Sequence, residues 1–259
     1  MSDVSDVDPT EGPSLGPDSA APSVPDETSG LIARLIDDSG LDKRSRATLL
    51  RRLAVAISSS ARQAGAAAVA SGQWLAELVA ETAPHIPIRD LETLSRHHDG
   101  KTGDALAGAL IENAARATGA VGAAAGLVAS VEWTTPPALL AAPVQVAAET
   151  LAVIAIEVKL VAELHAAYGR PASGTPAMRM ASYLGAWTRR RALDRISPGE
   201  KVSGLVTGAA RRELRRRVVG RAGSSTASVL PLLAGAVAGA SLNSRQTKKL
   251  GKQITAGLK

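Results

Sequence analysis

Residues 116–157, RATGAVGAAAGLVASVEWTTPPALLAAPVQVAAETLAVIAIE, decide the fold. The forty residues between the terminal Arg116 and Glu157 carry two charges, Glu132 and Glu149. Pro136-Pro137 falls near the middle. Proline lacks the amide hydrogen and clashes with the preceding turn, so a helix arriving from upstream stops there. The stretch reads as a helical hairpin with arms near 114–134 and 138–169, in which Pro143 either kinks the second arm or marks its start. Each apolar arm approaches the ~20 residues that a bilayer-spanning helix needs. Gly122-x-x-x-Gly126 gives the first arm a flat face that lets another backbone come close.

Plotted at helical spacing, the second arm separates into two faces. Lys159, Glu163 and Arg170 fall on a polar strip, and Leu151, Val153, Ile156, Leu160, Val161, Leu164 and Tyr168 spread over a broad apolar arc. Glu157 lands inside that arc, as does Glu149, and His165 sits at its margin. A buried carboxylate must meet a donor or become protonated, so each is expected to meet a base from another helix, with Arg116 one candidate. Glu132, Glu149, Glu157 and His165 are therefore the candidate polar cluster. Its structural reading is a set of satisfied groups that fix helix register, and its functional reading is a proton-sensitive or ligand-binding site. Glu163-x-His165 is spaced i, i+2, unlike the Glu-x-x-His of di-iron bundles, so no metal is expected there.

Upstream, residues 30–103 read as amphipathic helices. Leu49, Leu53 and Ile57 recur with Leu50 at helical spacing, while Arg46, Arg51 and Arg52 lie off that stripe. Trp74, Leu75, Leu78 and Val79 repeat the device before Pro84. A short helix is expected over 89–96, followed by a turn at His97-His98-Asp99-Gly100, and Asp104 is the expected cap of the next helix. Adjacent histidines point about 100° apart on a helix and lack the i, i+4 spacing of a ligand pair. Residues 1–29 hold five prolines and seven acids with no Lys or Arg, and are expected to be a disordered acidic tail. No basic n-region with an apolar stretch opens the chain, so no cleavable signal peptide is read, and the cytoplasm or the cytoplasmic side of the membrane is expected.

Downstream, residues 171–259 are the basic part. From Arg179 onward 17 bases face three acids, which carries essentially all of the excess positive charge. Residues 222–244 are uncharged, with Gly235-x-x-x-Gly239 repeating the small-residue motif and Pro231 suited to open a helix. Arg211, Arg212, Arg215, Arg216, Arg217 and Arg221 precede this segment, and Arg245, Lys248, Lys249 and Lys252 follow it. Basic flanks on both sides disfavour a simple membrane span and suit a re-entrant or protein-buried segment. Arginines and lysines beside an apolar segment attract anionic lipid, at ~1 kcal/mol per residue near the surface, and nucleic-acid phosphates would serve on charge alone.

Composition narrows the classes. The 259 residues include no Cys and no Phe, three Trp and two Tyr. Disulfides and thiolate metal sites are excluded, and so are rows of base-stacking aromatics. An Ala-, Leu- and Val-built core suits close helix packing, so the expected fold is all-α, a helical bundle around the central hairpin and a second apolar helix. No nucleophile elbow, P-loop, dinucleotide fingerprint or zincin motif is present, and no catalytic constellation or cofactor is expected.

Residues 117–171, with the Gly-rich turns at Gly119, Gly122 and Gly126, the Pro-containing apolar middle and a long helix ending Tyr168-Gly169, resemble the centre of EcsC-family proteins. The tail Leu230-Pro231…Gly235…Gly239…Asn243…Thr247 is similar to that family's closing segment. The long Asp-containing element associated with the family is replaced here by Thr134-Thr135-Pro136-Pro137. The resemblance implies a helical, membrane-associated bacterial protein and supplies no catalytic residues. The first functional expectation is therefore a non-enzymatic protein that binds anionic lipid or a membrane partner through its hairpin and basic third. A soluble helical scaffold whose basic face binds nucleic acid or an acidic protein is the first alternative. An enzyme or ligand-binding protein using Glu157 and His165 is the second.

Overall fold

The computed structural model describes residues 24–37, 41–132, 138–191 and 231–259. Their elements, in chain order, are α1 (Val24–Ile36), α2 (Lys43–Ser71), α3 (Gln73–Thr82), a 3₁₀ turn (Ala83–His85), α4 (Leu91–His97), α5 (Gly103–Glu132), α6 (Ala138–Ala167), α7 (Pro176–Arg191) and α8 (Pro231–Leu258). The fold is all-α, with no strand among the described residues.

Local chemistry sets the element ends. Asp42 Oδ1 accepts from the Ser45 amide at 2.6 Å and opens α2, and Asp90 Oδ1 accepts from the Thr93 amide at 2.8 Å and opens α4. Each satisfies an amide that the helix start leaves without a partner. Gly65 (φ 82°) kinks α2, and Gly72 (φ 76°) ends it in the left-handed conformation that glycine adopts freely. Asp99 (φ 55°) and Gly100 (φ 75°) turn the chain after α4, where the turn was expected.

The hairpin forms with its first arm extended upstream: α5 begins well before residue 114, α6 starts at Ala138 as expected, and Pro143 lies within it. α6 is the axis of the fold. Every residue from Val146 to Leu164 is buried, because α1, α2, α3, α4, α5, α7 and α8 all contact it. A helix apolar on all sides belongs in such a core. Leu151, Ile154, Leu160 and Leu164 are among its fully buried side chains, each contributing roughly 1.5–3 kcal/mol of burial. Among the described residues, no helix is long and apolar enough to cross a membrane.

Three local expectations are corrected. The tail was bounded at residue 29, yet α1 starts at Val24, and Thr28, Leu31, Ile32, Leu35 and Ile36 are buried. The apolar row 31, 32, 35, 36 supplies the buried face that the upstream prolines lack. Arg46 does not stay on the wet side of α2; it is 3% exposed and its Nη1 donates to the Leu35 carbonyl at 2.9 Å. That carbonyl is in the last turn of α1, where a cation meets the negative end of the helix dipole. Asp104 lies inside α5 rather than capping it. Its carboxylate accepts the Tyr168 hydroxyl and, at 2.7 Å, the Lys259 ammonium, tying together the start of α5, the end of α6 and the end of α8.

Candidate functional site

α5 and α8 run antiparallel in close contact. A Cβ added at Gly122 would lie 2.7 Å from the Gly239 carbonyl and 2.6 Å from Asn243 Nδ2. One added at Gly119 would lie 3.3 Å from the Ala240 carbonyl, and one at Gly251 2.5 Å from Ile111. At Gly122 the neighbour is backbone, so the approach leaves room for glycine alone.

The close approach brings a row of buried polar side chains from α8 against α5 and α6. Asn243 Nδ2 donates to the Thr118 carbonyl and to Glu149 Oε1, each at 3.3 Å. One turn on, the Thr247 hydroxyl donates to Glu157 Oε1 at 2.8 Å. Thr247 has one proton and gives it to the carboxylate, so toward Thr118, 2.9 Å away, it is the acceptor, and the Thr118 proton is shared between Thr247 and the Ala115 carbonyl at 3.2 Å. From the other side, α7 contributes the Trp187 indole N–H to Glu157 Oε2 at 2.9 Å and a two-pronged guanidinium from Arg191. Arg191 Nη1 also donates to Gln246 Oε1 of α8 at 3.1 Å.

Glu157 thus receives four hydrogen bonds, two at each oxygen. A carboxylate offers about four acceptor positions, and here all are occupied by protein donors. The carboxylate anchors α6, α7 and α8 to one another and presents no free lone pair to a substrate proton. The base from another helix that burial demanded is Arg191. Arg116, the candidate from the sequence, is exposed and donates instead to Asn113 on its own helix.

A third buried carboxylate, Glu163, lies six residues nearer the end of α6 than Glu157. Arg89 Nε donates to it at 2.9 Å from the segment before α4, and Lys159 pairs with it along the helix. The strip of Lys159 and Glu163 is therefore covered by protein, and only Arg170 of the three is exposed. Burial pulls the Lys159 ammonium below its ordinary value, against the attraction of Glu163. His98 beside Arg89 is pulled down too, first by burial and then by the Arg89 charge.

The predicted polar cluster is divided. Glu149 and Glu157 share the seam with α8, whereas His165 is half-buried toward the end of α6. Its Nδ1 lies 2.7 Å from the Val161 carbonyl, and its ring packs against Tyr183 of α7 at 5.4 Å. Glu132 closes α5, and its side chain lies outside the described residues. Of the packing glycines, Gly122 and Gly239 form the crossing, Gly126 is half-buried farther along α5, and the surroundings of Gly235 are outside the described residues. Arg211, Arg212, Arg215, Arg216, Arg217 and Arg221 also lie outside them. Lys248 pairs with Glu112 at 2.8 Å. Lys249 is exposed, as are Arg245 and Lys252, and these three have no ion pair among the described residues. No group of three or more His, Asp or Glu able to hold a metal occurs among the described residues.

Trp187, Arg191 and Thr118 were not singled out from the sequence. Asn243 and Thr247 had a readable signal: with Leu250 and Ile254 they form an i, i+4, i+7, i+11 row, which places two polar groups on an otherwise apolar stripe. No known protein family, curated protein or solved structure matches this chain.

Proposed function

We propose that the protein is a non-enzymatic, peripheral membrane-binding protein that docks on anionic lipid through α8. The observation that carries this reading is the outward row of α8. Leu242, Arg245, Lys249, Lys252 and Ala256 recur at intervals of three and four residues, and all are exposed. Leu242 is 44% exposed and Val237, farther toward the start of the helix, 64%. An interfacial helix combines these features: cations that meet lipid phosphates and a few apolar side chains that enter the headgroup boundary. Each cation near an anionic surface is worth ~1 kcal/mol, so three give an attachment that salt weakens.

This reading shifts the attachment from the hairpin to α8, because α6 is enclosed by protein from Val146 to Leu164. The cytoplasmic face of a membrane, with its anionic lipids, is the location that fits. The two EcsC-like stretches pack on one another, Gly119 and Gly122 of the first meeting Ala240, Gly239 and Asn243 of the second.

Co-sedimentation with vesicles of phosphatidylglycerol and phosphatidylcholine tests the proposal. Binding is expected to rise with phosphatidylglycerol content, to fall with salt, and to drop about tenfold or more in the R245Q/K249Q/K252Q variant. Equal retention of parent and variant would overturn it. A shift of duplex DNA by the parent without vesicle binding would replace lipid with nucleic acid as the anionic partner.

A further inference from the structure

The corner between α1 and α2 holds an open groove of about 520 Å³ that the α8 surface does not involve. Arg34 lines it from α1, and Arg44, Thr48 and Arg52 line it from α2 with Ser45 beside them. Residues 44, 48 and 52 are at i, i+4 and i+8, so they form one ridge along α2. The two outer arginines are about 12 Å apart along the axis, a spacing that long side chains close onto one ligand from both ends. Asp37 is the one carboxylate among the described lining residues, against three guanidinium groups. None of Arg34, Arg44 and Arg52 has an ion pair among the described residues, and all three are exposed. The walls are fixed from beneath: Arg46 joins α2 to the Leu35 carbonyl of α1, and Leu31, Leu35, Leu50 and Leu53 are buried between the helices.

From this geometry we infer a binding site for a small ligand carrying two or more phosphate charges, of the pyrophosphate or polyphosphorylated headgroup class. Among the described lining residues three guanidinium groups face one carboxylate, a balance that attracts a multiply charged anion. The planar guanidinium fork matches phosphate oxygens two at a time, and the Thr48 hydroxyl adds a donor of the kind phosphates accept. Among the described lining residues none is aromatic, so recognition centres on the phosphates. The fixed corner lowers the ordering cost of binding.

Calorimetric titration of the full chain with inorganic pyrophosphate tests the site, with sodium sulfate at matched ionic strength as the control. Pyrophosphate is expected to bind with saturation, and R44Q/R52Q to weaken it about tenfold or more while the far-ultraviolet circular dichroism is unchanged. The R245Q/K249Q/K252Q variant, altered on α8, is expected to bind pyrophosphate as the parent does, which separates this site from the membrane-binding proposal. Vesicles bearing a phosphorylated phosphoinositide identify the source of the ligand: displacement of bound pyrophosphate by them assigns a lipid headgroup, and no displacement assigns a free phosphate compound. Absence of saturable heat at millimolar pyrophosphate, or equal binding by the parent and R44Q/R52Q, would overturn the inference.

Discussion

The Trp187 indole N–H donates to Glu157 at 2.9 Å, and both residues are 1% exposed, so α7 is fastened to α6 through a hydrogen bond that water does not reach. Arg191 adds charge to the same carboxylate from one turn farther along α7. Removing one member of a buried ion pair strands the other and costs about 3–5 kcal/mol. Glu157→Leu is expected to fall in that range in urea unfolding. The double variant E157L/R191M is expected to lose less than E157L alone, because no charge is left without its partner. With Trp74 and Trp133 replaced by Phe, emission from Trp187 reports locally on the same change: with its acceptor gone and α7 loosened, it should shift to the red in E157L.

Glycines on α5 divide by what a methyl group would meet. At Gly122 the new Cβ would lie 2.7 Å from the Gly239 carbonyl, a backbone atom that cannot swing aside. Gly122→Ala must therefore separate α5 from α8, and a loss of at least about 2 kcal/mol is expected, within the range of overpacked cores. Gly108, on the same helix, has nothing within 4 Å of a built Cβ. There Ala should gain up to about 1 kcal/mol, from helix propensity alone. Opposite signs in thermal melts of the two variants check the crossing. Destabilisation by both, or by neither, would contradict it.

The all-α class, the hairpin and the start of α8 at Pro231 were readable because each rests on local rules: helical periodicity, proline's missing donor and the high helix propensity of alanine. Burial of Glu157 was readable too, from its place in the apolar arc of α6. Its partners were not, because Arg191 is 34 residues away and Thr247 is 90, and no local spacing encodes which helix arrives beside α6. Arg46 shows the same limit in reverse. By period it falls off the apolar stripe of α2, yet the end of α1 packs over it and its carbonyl draws the guanidinium inside. Lys159 and Glu163 were read correctly as one strip, but helical spacing does not tell whether a polar strip faces water or another segment's arginine.

Lys159 predicts a pH dependence. Its folded-state value is lowered below the ordinary 10.5, first by burial. A base with a depressed folded value is held charged at a cost, and that cost disappears as pH rises through the folded value toward 10.5. The parent is expected to gain stability over this alkaline window relative to Lys159→Met, which has no proton to lose there. Glu163 keeps Arg89 as its partner in the variant, so the variant should remain folded, and the comparison is made by urea unfolding at a series of alkaline pH values. Parallel stability profiles would show that the ammonium is not held at a cost.

Tyr168 gives the opposite slope at higher pH. Burial, then the hydrogen bond to Asp104 and its charge, push the phenol from 10.0 up to about 12. Between those values the unfolded chain releases the phenolic proton and the folded chain keeps it, so the unfolded state binds fewer protons and stability falls as pH rises. Tyr168→Phe removes the titrating group, and its stability should not show this fall. It also removes one of the donors that hold Asp104 below the usual carboxylate range, the Lys259 ammonium being the larger influence. The Asp104 carboxyl, followed by carbon-detected NMR through an acid titration, is therefore expected to protonate at a higher pH in Y168F than in the parent. An unchanged Asp104 titration would place the Tyr168 hydroxyl away from the carboxylate and detach the end of α6 from the start of α5.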